Sequence, residues 1–581
     1  MIKLFLQFYS VSFKKGLLVS FYLLRKLFFY KITKKNNFIY SRAKYTGRKE
    51  MRRKRDALKK KVFNLSFNKD IKFDLNLSYH KKNISSFEVM NLKLDLDERV
   101  FFNDFEDFEI KMAVHRFVWL YDLLVNEVSL RDLSAIKYFI FKWIDNFEDI
   151  DNDVTHESYS IGERVSSWLI FYAFSNQYVG YSEKEEKILA DSIKKQLSVL
   201  SENLEYQGRF TNNHILNNGK VFYLAGEFLN VLEWKNFGTL ILKSEFDNFF
   251  LEGFFLESSS HYQMIYAKSF MEMSMVCEFG DDQKLKKWFE DKTKKILFHS
   301  DNLLSTNDSF NSMPLFGDIS PDMNPNWFLG YPFSSNKGKQ SKWNHLFRYE
   351  RSDAVRKDGL NKKIEATPYY IKIIHLDFEI WIWLKELGLG AHGHQDNGNC
   401  VIFHKGEALV IDSGRFKYTK DEVSQTQIGV KGHFFPFSSK EEWDFMPGSH
   451  LANNPYFKSS ANIEKIENDK IVLFLSSWNS KLQIKRTFLL SERELVVSDE
   501  FIKGGKFHTN LIFPYKKESI EIKENVFLIG DVKLQIESES LINGIEILDG
   551  EYSPSYGCLK RGSRITTTLE SKIKYIFKIN Q

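Results

Sequence analysis

The spacing of apolar residues changes once along this chain, and that change restricts the fold more than any single motif. Between residues 105 and 304, large apolar side chains recur at three- and four-residue intervals, as over 108–126, 130–145, 161–174, 183–200, 215–232 and 257–279. Such spacing collects them on one face of a helix. From residue 369 onward the repeat falls to two, in runs at 370–376, 400–404, 409–412, 471–476, 483–490, 494–501, 532–536 and 574–578. Gly, Asn, Asp and Ser divide these runs, and the alternation belongs to strands with one buried face. Several helices in series without heptads predict antiparallel pairs in a bundle or an (α/α) toroid. The later runs predict an antiparallel β-sandwich.

The expectation is therefore a multidomain α+β protein, because 581 residues exceed what one core holds. Residues 63–365 would form the helical toroid and 366–581 the antiparallel β-sandwich, with a separate extension at 1–62. Residues 305–365 carry four of the ten prolines and a Ser/Asn/Lys-rich stretch at 334–340. They read as a boundary of loops and short helices.

Charge sets the extension apart. Residues 1–61 hold 19 Lys and Arg against 2 acidic residues, whereas the whole chain nets only +6. The remainder is thus net acidic, which argues against a nucleic-acid partner. A basic, aromatic extension suits an acidic membrane surface, or else a solvated linker. Its longest charge-free pieces, 4–13 and 16–24, are shorter than the ~20 residues of a membrane span. Without a small-residue cleavage site an ordinary signal peptide is not expected, so the location leans to the cytoplasm or a membrane periphery. Three widely spaced cysteines, with no CxxC, imply neither a disulfide framework nor a zinc knuckle.

The chemistry concentrates in Gly390-Ala391-His392-Gly393-His394-Gln395-Asp396-Asn397, followed by Leu409-Val410-Ile411-Asp412-Ser413-Gly414. Two imidazoles two residues apart, met by an aspartate at a strand end, can hold a borderline metal or move protons on a polar substrate. The glycines mark backbone that needs unusual φ or close approach. Placed early in the β region, this loop would lie where the strands meet the helices, and a cleft there would take a long ligand. No P-loop and no GxGxxG after a strand are present, so nucleotide chemistry is not expected.

These residues resemble the heparinase II/III family of polysaccharide lyases. The likeness extends to Asn213-His214-Ile215-Leu216-Asn217-Asn218, to Glu257-Ser258-Ser259-Ser260-His261-Tyr262, to His115-Arg116-Phe117 and Arg164-Val165-Ser166-Ser167-Trp168, and to Ser553-Pro554-Ser555-Tyr556-Gly557. It spans roughly residue 63 to the end. The resemblance implies β-elimination on a uronate-containing acidic polysaccharide. Asn213 would neutralise the uronate carboxylate, with Tyr262 and His392 as base and acid. A tyrosine can serve in both roles if nearby positive charge lowers its pKa. His214, Glu257 and Arg415 would contact substrate, and Lys417 would share Arg415's face. His214 is alternatively the active member, or only a hydrogen bonder at the helix start. The resemblance also implies a structural zinc on His394, Asp412 and His433, with His450 as a weaker third ligand, and a location outside the cytoplasm.

Two departures from the family pattern stand out. The flank of His433, Val430-Lys431-Gly432-His433-Phe434-Phe435, is altered, and Gln263 follows Tyr262 where relatives often carry His. Two rival functions remain open at this point. One is a hydrolase using a carboxylate pair from Glu205, Glu257, Asp396 and Asp412. The other is a non-catalytic, surface-polysaccharide-associated protein of the same fold.

Overall fold

The computed structural model describes residues 53–58, 61–75, 77, 84–125, 128–147, 156–206, 211–305, 313–328, 346, 362–384, 392–438, 443–444, 458–538 and 540–579. The readings made on residues 1–52, on 334–340 and on His450 fall outside them. Among the described residues no helix is long and apolar enough to cross a membrane.

The first half is helical apart from a hairpin, β1 (Ser86–Val89) and β2 (Leu92–Asp95), and a short pair, β3 (Phe250–Leu251) and β4 (Phe254–Phe255). Its helices are α1 (Phe108–Arg116), α2 (Leu120–Leu124), α3 (Leu130–Phe147), α4 (Ser158–Val179), α5 (Glu183–Glu202), α6 (His214–Phe228), α7 (Leu232–Phe249), α8 (Ser260–Cys277) and α9 (Gln283–Leu303). Helices α4 and α6 are buried along nearly their whole length, as central helices must be when apolar on all sides. α5 lies on the surface and starts with a capping box between Ser182 and Glu185.

The spacing predicted one helix over 108–126. Instead Phe117, in the left-handed region at φ 59°, separates α1 from α2. The periodicity also passed over α7 and α9. α9 is rich in lysine and buries a narrow stripe (Leu285, Phe289, Ile296), so its apolar signal is diluted.

The second half is built of antiparallel sheets. One has β5 (Lys362–Ala366), β6 (Tyr370–His375), β7 (Phe378–Trp383), β8 (Cys400–His404) and β9 (Glu407–Val410), in sequence order. After it come β10 (Pro436–Phe437), β11 (Ser460–Ile466), β12 (Lys470–Ser476), β13 (Gln483–Leu490), β14 (Glu494–Lys503), β15 (Phe507–Phe513), β16 (Glu521–Lys523) and β17 (Val526–Ile529). The last four are β18 (Val532–Glu537), β19 (Leu541–Ser555), β20 (Cys558–Leu569) and β21 (Lys572–Ile579). They form an eight-stranded sheet, β11-β12-β13-β14-β21-β18-β17-β16, and a four-stranded one, β10-β15-β20-β19. All three sheets share one core: Ile371 and Ile380, Leu473 and Val497, Leu511 and Ile565 belong to the same buried cluster.

The seam between the halves is aromatic. β7 is buried at every position, so alternation could not reveal it. Ile380 and Ile382 face the shared core, whereas Trp381 and Trp383 join Phe254 and Phe316 from the helical side. Phe254 stacks on Tyr369 at 4.1 Å and Phe316 on Trp383 at 4.6 Å. The Trp381 indole N–H donates to the Asn302 carbonyl at 3.0 Å. Residues 313–328, read from their prolines as part of a boundary, are packed against α8 and the His392 loop along this seam. The carbonyl of Phe316 accepts from the Ser260 amide at 3.0 Å, and the Asp318 amide donates to the His392 carbonyl at 2.8 Å.

Candidate active site and metal centre

Four segments converge at the seam: the start of α6, the start of α8, the segment through Asp318, and the loop leading into β8. Gly317 allows the last two to touch. It sits at φ +73°, and a Cβ there would lie 2.3 Å from the Ser258 carbonyl oxygen and 2.6 Å from that of His392.

Asn213 precedes α6 but does not cap it. Its backbone is already helical and its side chain makes no capping bond. The Oδ1 atom is buried without a partner. Its amide N–H donates to Glu257 Oε1 at 3.0 Å and its carbonyl accepts from the Tyr266 hydroxyl at 3.0 Å. The side chain is thus held in place by its backbone and left for another task.

Tyr262 follows the Ser259 N-cap of α8, whose hydroxyl accepts its amide N–H at 3.1 Å. Its ring lies flat on the His392 ring, with centroids 3.7 Å apart and planes at 13°. Its hydroxyl meets that of Tyr418 at 3.1 Å. Burial pushes the Tyr262 phenol well above its ordinary pKa, and the charges next to it, Asp318 and Asp322, act in the same direction. The condition under which a tyrosine could serve as both base and acid, a pKa lowered by positive charge, is not what these neighbours provide.

His392 stands between two carboxylates, with Nε2 3.4 Å from Glu257 Oε2 and Nδ1 3.3 Å from Asp318 Oδ2. Burial raises the Glu257 pKa, opposed by His392, His214 and the Asn213 amide. Asp318 shows the opposite balance. Despite the cost of burial, hydrogen bonds from His392 and His394 and the charge of Arg415 hold it well below the usual carboxylate range.

His214 faces Glu205 at 2.7 Å and its ring lies 4.5 Å from that of Tyr159. Burial works against its protonation, but Glu205 and then Glu157 hold its pKa above the ordinary histidine value. A histidine with a raised folded pKa adds its full stabilisation below the unfolded value of about 6.5, and loses it as pH rises through the folded value. The stability gap between the wild type and His214→Gln is therefore expected to be largest in mild acid and to close on alkalinisation. Denaturation curves along a pH series check this, and a gap independent of pH contradicts it.

His394, Asp412 and His433 come together as the sequence suggested. All three are buried, and one candidate ligand atom from each lies within 4.8 Å of the others. His433 Nδ1 is 2.9 Å from Asp412 Oδ2, which also accepts from Asn399 Nδ2 at 2.7 Å. His433 Nε2 is buried with no partner. Arg486 secures both segments that carry the histidines: Nη1 donates to the carbonyls of Gly398 and Phe434 at 2.8 Å each, while Nε and Nη2 bind the Asp499 carboxylate.

Other residues singled out from sequence take different places. Arg415 is 7% exposed, donates to the Ser424 carbonyl and lies 3.4 Å from Asp318, so its guanidinium serves a protein carboxylate instead of open solvent. Lys417 turns to Asp107 at 3.7 Å. Gln263 points into the interior, where it binds the Gly253 and Ile296 carbonyls and the Phe255 amide, so its departure from the family pattern is structural.

Sequence reading missed Asp318 and Tyr418. Asp318 follows Gly317 in the proline-rich stretch set aside as a boundary, and an isolated Gly-Asp there was the available signal. Tyr418 is one of 26 tyrosines and had none.

Residues 385–574 match the family model described as Heparinase II/III-like, C-terminal. Over those residues the chain is similar to the heparinase II/III-like family. Solved structures extend the likeness of fold beyond that heparinase II/III-like region. A crystal structure of heparinase III superposes with a TM-score of 0.61 at 15% identity, covering 84% of this chain and 79% of that one. A mutant of heparan sulfate lyase HepC from Pedobacter heparinus gives 0.56 at 14% identity, covering 94% and 93%. A further heparinase III gene product gives 0.57 at 14%, with the same coverage. At such identities the likeness is one of fold: a helix-rich first half followed by antiparallel sheets. No curated protein matches the chain by sequence.

Proposed function

We propose that this protein is a polysaccharide lyase that cleaves an acidic, uronate-containing glycan by β-elimination. The observation that carries the reading is that Glu257 holds both the Asn213 backbone N–H and the His392 ring, on which the Tyr262 ring stacks, while Asn213 Oδ1 has no partner. The fold shared with heparinase III and heparan sulfate lyase supports it. On this reading the helices form an (α/α) toroid and the sheets a sandwich, divided near residue 365.

Elimination removes the C5 proton, breaks the C4–O4 bond, forms the C4–C5 double bond and returns a proton to O4. Charge develops on the uronate carboxylate as C5 loses its proton, and Asn213 is the amide placed to meet it. Glu257 accepts from the Asn213 backbone N–H and so fixes the residue, and burial favours its neutral form. Tyr262 keeps its proton in the free protein, which suits it to protonate O4. The task of base goes to His392, whose ring stacks on Tyr262 and is aligned by Asp318 at Nδ1 and Glu257 at Nε2.

A hydrolase needs two free carboxyl groups flanking one bond. Glu205 is engaged by His214 and Asn218, Asp412 by Asn399, Gly414 and His433, and Asp396 is wholly buried. Mass spectrometry of the cleaved glycan separates the two chemistries. Fragments that sum to the parent are expected; fragments heavier in total by one water would instead establish hydrolysis.

We also assign a zinc ion to His394, Asp412 and His433. Two imidazoles and a carboxylate are a zinc donor set, and the unpartnered His433 Nε2 is a buried donor site awaiting one. Bound there, the ion supplies positive charge that fixes the loop before β8. Asp318 bonds both His394 Nε2 and His392 Nδ1 and so ties that loop's metal ligand to its proposed base. Zinc at a hundredfold excess over Kd is expected to stabilise chelator-treated protein by about 2.7 kcal/mol. Thermal unfolding with and without zinc measures it. His433→Ala should abolish the shift, and an unchanged melting temperature in the wild type contradicts the assignment.

A further inference from the structure

A second cavity, of about 570 Å³, opens over the four-stranded sheet. Strand alternation creates its floor. Leu511 and Ile565 point into the shared core, so the residues one step out of phase, His508, Asn510, Arg564 and Thr566, face outward. Register places Asn510 opposite Thr566 and Arg564 opposite Leu548. Lys431, from the turn before His433, forms a wall.

The cations here lack partners. Arg564 is half-buried, its Nε is enclosed without a hydrogen bond, and neither it nor Lys431 forms an ion pair with a carboxylate among the described residues. Burial holds the Arg564 guanidinium below its ordinary pKa. His508 is pushed down by burial and then by Lys431 and Lys506, so positive charge converges on the site. Glu546, opposite Thr566, is an exposed carboxylate on the same face and leaves the cations in excess. The neutral polar groups are already ordered: Thr566 donates to Asn510 Oδ1 at 3.0 Å, and Asn510 Nδ2 to the Lys431 carbonyl at 2.9 Å.

A half-buried guanidinium whose Nε is enclosed without a partner, and which has no counter-ion among the described residues, calls for an anion from outside. Leu548, an exposed residue that also lines the cavity, offers apolar surface of the kind a sugar ring covers. The volume lies within the range of about 300–1,000 Å³ common to small-ligand sites. We propose that this cavity is a second glycan site, binding a carboxylated or sulfated sugar unit of an acidic polysaccharide through Arg564 and Lys431. The inference rests on the lyase reading only for the source of its ligand; the charge pattern is the cavity's own.

The test uses the full chain carrying Tyr262→Phe, titrated calorimetrically with heparan sulfate and alginate hexasaccharides and, separately, inorganic sulfate. Two sites are expected for at least one oligosaccharide. Lys431→Gln, at an exposed position, and Arg564→Gln should each weaken one site about tenfold and leave the other unchanged. A single site lost with these substitutions upholds the cavity and shows that the seam does not hold these two glycans. Affinities indifferent to both substitutions, or no binding at all, overturn the proposal, as does saturation by sulfate at the concentration that the oligosaccharide requires.

Discussion

Asn213→Asp is expected to lower kcat by about a hundredfold to a thousandfold, the usual scale for losing one donor to a developing charge. The substitution changes one atom of the side chain and almost none of its shape. It replaces a donor by an acceptor at a position 2% exposed. A carboxylate there would oppose the substrate carboxylate and stand beside Glu257, which already binds the Asn213 backbone. The start of α6 should survive, since Asn213 makes no side-chain cap. Circular dichroism would confirm the helix, and steady-state kinetics on a cleaved glycan would read the rate. An unchanged rate would show that the amide faces no developing charge.

The largest effect on stability is expected from Arg486→Leu. Arg486 and Asp499 are both 0% exposed and lie opposite each other on β13 and β14. Removing the guanidinium leaves a buried carboxylate without its counter-ion and releases the carbonyls of Gly398 and Phe434. Breaking such a pair costs about 3–5 kcal/mol, whereas replacing both partners by apolar residues is often close to neutral. Urea denaturation should show that loss in Arg486→Leu and recover much of it in Arg486→Leu with Asp499→Leu. Because the freed carbonyls adjoin the histidine segments, zinc affinity should fall in both variants. A single variant as stable as the wild type would contradict this account of the pair.

Much of the architecture was legible in the sequence because it follows from spacing. Helices such as α3 and strands such as β13 and β18 declare themselves where one face is wet and the other dry. The signal failed where that contrast vanishes. β7 is buried on both faces and so does not alternate, and the lysines of α9 mask its narrow apolar stripe. For the site, the loop carrying His392 and His394 could be read because rare residue types fall close together. Asp318 and Tyr418 reach the same place from segments 74 and 26 residues away from His392, brought there only by tertiary packing. The inward turn of Gln263 and the pairing of Arg415 with Asp318 were also invisible, since the direction of a side chain depends on neighbours the sequence does not name.

The most direct measurement of the central claim is near-ultraviolet absorbance during incubation with uronate polysaccharides, comparing the wild type with Tyr262→Phe. The β-elimination account predicts a rising signal from the new C4–C5 double bond, reduced by at least about a hundredfold in rate when the Tyr262 hydroxyl is removed. Chain cleavage without that absorbance, or an equal rise in Tyr262→Phe, would contradict it.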